Sequence, residues 1–414
     1  MTSIRKSAWF RNFLIFLSLL GPGIVTGSVD NDVGGITTYS VAGAMYGYHY
    51  IWALIPCAVV LFLVQEMNAR MGIVTGKGLA DLIREEAGVK ITALIFAGLL
   101  IADMANTTTE FAGVAGSMEI FGISKYIAVP ISAIGVWFLV VKGTYKIAER
   151  IFLIFSGFLL CYIVSAVMGH PHWGEVGQAI IHPHLQGDTE YVALGIGLVG
   201  TTIAPWMQFY MQSAVIEKRL KIEDYKFTLA DVAVGCVLTI VVAFFIMVSC
   251  GSTLHLNGVH INDASDAAKA LEPMAGAVSK YIFAAGLFVA AIFSATILPV
   301  ATAFYVCEAF GFEAGIDKTP AQAPQFFALF TAILAVGAGI ILIPNAPLIK
   351  ISIWSQVING LLLPIVLVSM MILVNNKEIM GKYTNGRIAN VIGWGTAGIL
   401  CILSLYLVGT SIFG

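Results

Sequence analysis

The chain has 414 residues, of which 58% are apolar and only 11% charged, and its formal net charge is −2. An average globular domain carries roughly 25% charged residues, so this composition excludes an ordinary water-soluble domain, a disordered chain and a disulfide scaffold. Nucleic acid is not expected as a partner, because the chain has no basic excess to neutralise phosphates. The composition favours a polytopic membrane protein whose main surroundings are the lipid bilayer.

Eleven apolar stretches are long enough to cross a bilayer, which takes about 20 helical residues. They lie at about 11–46, 50–70, 91–120, 125–143, 150–169, 189–217, 226–250, 278–308, 324–343, 350–374 and 388–412. The first and the sixth are interrupted by polar or helix-breaking residues. The sequence therefore predicts an all-α polytopic membrane protein with two broken helices.

The basic residues show which side of the membrane each connecting segment faces. If the N-terminus is inside, 18 of the 22 Lys and Arg residues fall in inner segments, and the other four, Lys125, Lys269, Lys280 and Lys350, fall in outer ones. An excess of Lys and Arg is typical of cytoplasmic loops. We therefore expect a multi-pass protein of the plasma membrane with a cytoplasmic N-terminus and an outer C-terminus. All seven histidines then lie in outer segments or at their edges.

The first break is the segment Asp30-Asn31-Asp32-Val33-Gly34-Gly35. Two carboxylates and two glycines near the middle of a membrane make a poor helix, and charges at this depth usually mark a functional site. The second break is Thr201-Thr202-Ile203-Ala204-Pro205, where Pro205 removes a helix hydrogen bond and frees a carbonyl near Thr201. Irregular backbone at membrane depth persists only where it is buried or lines a cavity.

The two breaks are five spans apart, so each is the first helix of a half in a five-plus-five arrangement. An odd number of spans per half makes the halves inverted, which is typical of secondary transporters with a substrate site at the midplane. The predicted repeats run over about 11–169 and 189–374, and an eleventh helix at about 388–412 completes a single domain of residues 1–414.

Three segments occur in an order that is typical of one transporter family. They are Gly21-Pro22-Gly23 with Asp32, Gly43 to Tyr48, and Gly72 to Lys77 followed by Leu79-Ala80. On these residues the chain resembles the NRAMP family of divalent metal-ion transporters, from about residue 11 to residue 410. The resemblance implies the LeuT-type fold, no enzyme activity and no resident cofactor, with a divalent metal ion as the transported partner.

The resemblance also implies which residues touch the ion. The first broken helix of the family typically reads Asp-Pro-Gly-Asn, and here Asp32 keeps the carboxylate while Gly35 replaces the Asn. On the sixth span, Thr201 matches a residue whose carbonyl binds, and Ala204 stands where the family has a Met thioether. On the tenth span, Gln356 matches a Gln near the ion. The implied site residues are Asp32, Thr201, Gln356, Asn359, Asp30, Gly35 and Ala204.

These departures change the expected ion. A thioether favours late transition metals, whereas oxygen ligands suit Mg²⁺, Ca²⁺ or Mn²⁺. Gly35 and Ala204 also remove bulk, which would leave room for an ion that keeps several waters, as Mg²⁺ does. The sequence thus looks like the NRAMP-related magnesium transporters, and we expect a monomeric carrier of Mg²⁺ that also accepts Mn²⁺.

Proton coupling is not expected from the sequence. Coupled members of the family usually carry an Asp-x-x-Glu pair on span three, histidines on span six and a basic residue on span nine. Here Thr107 occupies the Asp position before Glu110, and Trp206 follows Pro205 in place of a His. Asp103 and Glu110 remain a candidate proton relay, or alternatively buried carboxylates hydrogen-bonded to Asn106 and to the threonines at 107–109.

Other functions remain open at this stage. A proton-coupled Mn²⁺/Fe²⁺ importer and a carrier of amino acids or another organic solute would both use broken helices. Asp30 and Asp32 disfavour an anionic substrate group. An intramembrane enzyme and a potassium-type channel are disfavoured because the chain has no His-Glu-x-x-His, no Gly-x-Ser-x-Gly and no Thr-Val-Gly-Tyr-Gly segment.

Overall fold

The computed structural model describes residues 21–142, 161–261, 264–271, 276–316 and 318–413. Every regular element within these residues is helical, which confirms the all-α class. The predicted spans at 11–46, 125–143 and 150–169 fall partly outside the described residues.

Sixteen described helices are numbered here in chain order. They are α1 (Pro22–Val29), α2 (Val33–Tyr46), α3 (Leu54–Thr75), α4 (Leu79–Ile120), α5 (Lys125–Lys142), α6 (Cys161–Met168), α7 (Trp173–Ile181), α8 (Thr189–Thr202), α9 (Pro205–Glu217), α10 (Tyr225–Cys250), α11 (Ala264–Ala268), α12 (Ser279–Phe310), α13 (Pro324–Ile341), α14 (Leu348–Asn375), α15 (Lys377–Met380) and α16 (Arg387–Phe413). Short 3₁₀ turns join several of them, and a π-helical turn at Gly251–His255 extends α10.

The ends of the long helices gather at two opposite faces of the bundle. Lys125 Nζ donates to the carbonyl oxygens of Ile341 and Ile343, which joins the start of α5 to the end of α13. At the opposite face, the Arg70 guanidinium donates to the carbonyl oxygen of Tyr383 and to Asn385 Oδ1. We call the face with Lys125 the outer end and the face with Arg70 the inner end, following the predicted orientation.

Nine helical segments within the described residues are long and apolar enough to cross a membrane. The broken helix α1–α2 is not among them. Helix α4 begins at Leu79, twelve residues before the predicted start at 91, because a short inner helix runs into it. Gly88, with φ of 78°, marks the kink between the two parts.

The second broken helix lies at the centre of the bundle. Its membrane-spanning window, within Thr189–Glu217, is 78% buried, compared with 22% for Lys125–Lys142 and for Arg387–Thr410. Polar groups in this helix are therefore shielded from lipid, as irregular backbone in a membrane requires.

Helix α1 is held against α10 by direct backbone contact and by a cap. A Cβ on Gly235 would lie 2.0 Å from the carbonyl oxygen of Gly23, so the two helices approach only because both residues are glycine. Asp231 accepts hydrogen bonds from the backbone N–H groups of Gly21, Gly23 and Ile24, at 3.2, 2.6 and 3.3 Å. A carboxylate from α10 thus satisfies the unpaired donors at the start of α1.

Candidate metal site

The first break consists of three residues, Asp30, Asn31 and Asp32, which are all buried, with exposures of 2%, 0% and 5%. Asp32 is the N-cap of α2, and its Oδ1 accepts a hydrogen bond from Gly35 N at 2.7 Å. This is the usual arrangement at a helix start. The break is shorter than predicted, because Gly34 and Gly35 already belong to the first turn of α2.

The second break lies between Thr202 and Pro205. Pro205 is the first residue of α9, where its missing N–H has no cost. The Ala204 carbonyl oxygen accepts hydrogen bonds from Gln208 Nε2 at 3.1 Å and from Met207 N at 3.2 Å, so it is already engaged. The break predicted here is confirmed.

The two breaks meet at Gly35. A Cβ built on Gly35 would lie 2.7 Å from the Asp30 carbonyl oxygen, 3.3 Å from Thr201 Oγ1 and 3.5 Å from Asp32 Oδ1. Three oxygens therefore converge where a side chain would stand. The spare volume expected at Gly35 is absent, because protein oxygens occupy it.

Gln356 approaches the same place from α14. A Cβ on Gly34 would lie 2.0 Å from Gln356 Nε2 and 3.1 Å from Asp32 Oδ1. The absence of side chains at Gly34 and Gly35 thus lets an amide, a hydroxyl, a carbonyl and a carboxylate share one small region.

Asn359 lies one helical turn beyond Gln356, and an amide network fixes both. Asn359 Nδ2 donates to Gln356 Oε1 at 2.9 Å and to Asn106 Oδ1 at 3.0 Å, and Gln356 Nε2 lies 3.3 Å from Asn106 Oδ1. Asn106 of α4 is a central member of this network that sequence reasoning did not assign to the site. An Asn three residues after Asp103 in an apolar span was the available signal.

The Asp103 carboxylate accepts hydrogen bonds from three side chains instead of lying beside Asp32. Its Oδ2 accepts hydrogen bonds from Tyr305 OH at 2.6 Å and Thr302 Oγ1 at 2.9 Å, and its Oδ1 accepts one from Asn106 Nδ2 at 3.2 Å. The hydroxyls at 107–109 bond instead to carbonyl oxygens of their own helix. Of the side chains predicted to hydrogen-bond to the Asp103 carboxylate, only Asn106 does so in the structure.

Glu110 lies against the break. Its Oε2 accepts a hydrogen bond from Val33 N at 3.4 Å, which brings its carboxyl group close to that of Asp32. Two buried carboxyl groups this close repel each other unless one of them carries a proton. The structure therefore separates the two candidate relay residues: Glu110 lies beside Asp32, whereas Asp103 belongs to the amide network.

The carbonyl oxygen of Asp30 faces the shared region, and its side chain lies beside α10. The carboxylate lies beside Thr239 of α10, whose hydroxyl donates its proton to the Gly27 carbonyl oxygen at 2.9 Å. Neither carboxylate oxygen of Asp30 makes a hydrogen bond to a described residue.

A cavity of about 580 Å³ leads toward the site from the outer end. It passes between α2, α4, α12 and α14, and reaches Val33 and Ser352 near the break. Glu119, near the end of α4, and Lys350, near the start of α14, also line it. The cavity thus extends from the outer end to the residue that follows Asp32.

The inner end below the site is packed. Asn68 Nδ2 donates to Gln208 Oε1 at 2.7 Å, joining α3 to α9, and Gln212 Nε2 donates to the Lys77 carbonyl oxygen at 2.7 Å. Among the described residues, a large cavity thus lies on the outer side of the site, and hydrogen bonds join the helices on its inner side.

Comparison with known proteins identifies the fold. The manganese transporter of Eremococcus coleocola superposes with a TM-score of 0.77 at 21% identity, over 100% of this chain and 90% of that one. Mhp1, a nucleobase-cation-symport-1 family transporter, superposes with a TM-score of 0.60 at 12% identity, over 94% and 90%. The fold is the LeuT-type fold, with an inverted repeat, broken helices 1 and 6 and an eleventh helix.

Sequence comparison agrees over almost the whole chain. The divalent metal cation transporter MntH of Yersinia pestis (strain Pestoides F) is 27% identical over 405 residues, which is 95% of each protein. MntH of Klebsiella pneumoniae (strain 342) is 26% identical over 407 residues. The profile of the Nramp family, natural resistance-associated macrophage protein-like, matches residues 23–410. The chain is therefore a member of the Nramp family.

Proposed function

We propose that this protein carries divalent metal cations across the membrane, with Mg²⁺ as its preferred ion and Mn²⁺ also accepted. The observation that carries the proposal is the convergence of Asp32, Thr201, Gln356 and the Asp30 carbonyl oxygen at Gly34 and Gly35. The Asp32 carboxylate, the Thr201 hydroxyl oxygen and the Asp30 carbonyl oxygen suit a hard cation, whereas Gln356 presents its Nε2 here and its Oε1 accepts a hydrogen bond from Asn359. Relatives named as divalent metal cation transporters and as a manganese transporter support this class of cargo.

The preference for Mg²⁺ follows from the ligand types. Ala204 is 3% exposed and lies at the second break, where it offers no sulfur atom. Without a soft ligand, the site gives late transition metals no advantage over Mg²⁺ beyond their general affinity for oxygen. An uptake panel of Mg²⁺, Mn²⁺, Ca²⁺, Fe²⁺ and an amino-acid mixture into proteoliposomes tests this. Uptake of Mg²⁺ and Mn²⁺ is expected, and uptake of amino acids alone would contradict the proposal.

Transport in this proposal is not coupled to protons. Glu110 keeps its proton through the cycle and donates a hydrogen bond to Asp32, so the charge of the site depends on Asp32 alone. Glu110→Gln then retains flux within about threefold, because an amide can donate the same bond. A pH-sensitive dye in the vesicle lumen should report no acidification during Mg²⁺ uptake in either protein.

The proton-coupled Mn²⁺/Fe²⁺ importer is the second candidate, and the contact between Asp32 and Glu110 favours it. In that case Glu110 would release its proton when the cation binds Asp32. Acidification of the lumen in the parent protein, lost in Glu110→Gln, would establish the second candidate in place of the first. In both cases we propose one domain of residues 1–414 that works as a monomer, with its N-terminus in the cytoplasm and no enzyme activity.

A further inference from the structure

Two buried polar side chains on the inner side of Asp32 lack partners. Both carboxylate oxygens of Asp30 and both polar atoms of Gln65 make no hydrogen bond to a described residue. Each side chain is 2% exposed. Burial of an unpartnered carboxylate or amide is costly, so such groups usually serve a ligand or another conformation.

A small cavity lies next to these groups. It has a volume of about 10 Å³, which is close to the space one water molecule requires. Gln65 of α3, Thr26 of α1 and Thr239 of α10 contribute polar atoms to its wall. The Asp30 carboxylate adjoins Thr239, so it lies at the edge of the same region.

The hydroxyl groups in this wall present oxygens rather than protons. Thr239 donates to the Gly27 carbonyl oxygen at 2.9 Å, and Thr26 Oγ1 lies within hydrogen-bonding distance of the carbonyl oxygens of Pro22 and Gly23. Lone pairs on both oxygens remain for a positive ligand. The wall therefore offers an amide oxygen and two hydroxyl oxygens, and the Asp30 carboxylate lies beside one of these hydroxyls, that of Thr239. Such oxygens are ligands for a hard cation or its waters.

The position of this region relates it to the direction of transport. The outer cavity ends at Val33 and Ser352, whereas the small cavity is enclosed by α1, α3, α9 and α10 at the inner side of the break. Asp30 contributes a group to each region: its carbonyl oxygen faces Gly35, and its carboxylate lies beside Thr239. Asp30 thus lies between the region at Gly35 and the wall of the small cavity.

We propose that Asp30 and Gln65 form a second cation site that receives the hydrated ion after Asp32, during release toward the inner end. In this structure the site encloses only a water-sized space. Separation of α1 from α3 and α9 expands it and fills it with the ion and its waters. This inference rests on the proposed function, since it concerns the same cargo.

The test compares binding with transport in the purified protein and in proteoliposomes. Gln65→Leu should leave Mg²⁺ affinity, measured by calorimetry, within about twofold of the parent, and lower the Mg²⁺ uptake rate by about tenfold. Asp30→Asn should lower the uptake rate by a similar factor. Gln65→Glu keeps an oxygen at that position and should retain most of the rate. Glu313→Gln removes an exposed charge after α12 and serves as the control for a general loss of negative charge.

Each outcome separates the possibilities. Parent rates in both Asp30→Asn and Gln65→Leu would overturn the inner site, and so would loss of Mg²⁺ binding in Asp30→Asn, which would make Asp30 a ligand of the first site. If Asp30→Asn does not fold, as judged by size-exclusion chromatography, the Gln65→Leu and Gln65→Glu pair decides alone. Failure of the proposed function would be distinguishable from failure of the inner site, because in that case the parent protein itself would bind neither Mg²⁺ nor Mn²⁺.

Discussion

The amide of Gln356 occupies the place that a side chain at Gly34 would take, with Nε2 2.0 Å from the position of a Cβ on Gly34. The amide can reach the first break only because residue 34 is glycine. The same contact brings Gln356 close to Asp32, since Oδ1 of Asp32 lies 3.1 Å from that Cβ position. One glycine thus couples α2 to α14 at the candidate metal site.

Gly34→Ala is therefore expected to push Gln356 away from Asp32. Because the amide would lose its position beside Asp32, Mg²⁺ binding should weaken by about tenfold, or ~1.4 kcal/mol. Isothermal titration calorimetry measures this change. Gly339→Ala in α13 is the matched control, because a Cβ there meets no atom within 4 Å. Equal affinities for the parent and Gly34→Ala would show that Gln356 does not serve the ion.

Ala204→Met tests the role of ligand softness. A thioether at the second break should raise the affinity for Mn²⁺ relative to Mg²⁺ by about tenfold, because sulfur favours transition metals over Mg²⁺. Ala204→Leu has nearly the same bulk without sulfur and separates a chemical effect from a steric one. The ratio of the two dissociation constants is the quantity to compare. A similar shift in both variants would assign the effect to size alone.

Asp231→Ala tests the cap on α1. Three backbone N–H groups at a buried helix start would lose their acceptor, which we expect to cost about 1–2 kcal/mol. The melting temperature in detergent should fall by about 2–4 °C. Asp188→Ala removes the N-cap of α8, which is exposed and accepts one bond, from Tyr191 N. A smaller loss is expected there, and equal losses would argue against a special role of the α1 cap.

His49 gives the fold a dependence on pH at the outer end. It stacks on His184, with ring centroids 4.8 Å apart, and burial together with His184 and His255 lowers its pKa. Because the unfolded chain then takes up a proton more readily than the folded one, stability rises with pH across the range of His titration. The melting temperature should fall as the pH is lowered from about 7.5 to about 5.5. The fall should be less steep in His49→Phe. Identical pH profiles for the two proteins would exclude this contribution.

The sequence predicted both broken helices, because the residues that interrupt each helix are neighbours in the chain. Charges beside glycines at 30–35 and Pro205 after two threonines cannot continue a membrane helix. The prediction of Gln356 near Asp32 depended on the family resemblance, since the two residues are far apart in the chain. Its geometric basis, the missing side chain at Gly34, emerged only from the packing of α2 on α14.

Other features of the site depend on how helices face each other. The bond between Asn106 and Asn359 joins α4 to α14, and the bonds from Tyr305 and Thr302 to Asp103 join α12 to α4. These contacts depend on how each helix is rotated about its axis relative to its neighbours, which no local sequence pattern reveals. For the same reason, the sequence did not show that the carbonyl and the carboxylate of Asp30 face different regions.

The most direct test of the central claim is Mg²⁺ uptake into proteoliposomes by the parent protein and by Asp32→Ala, with Mn²⁺ as competitor. The account predicts saturable Mg²⁺ uptake that Mn²⁺ inhibits in the parent, and a loss of at least about 100-fold in Asp32→Ala, because no other carboxylate of the break faces Gly35. Mg²⁺ uptake at the parent rate in Asp32→Ala would contradict it.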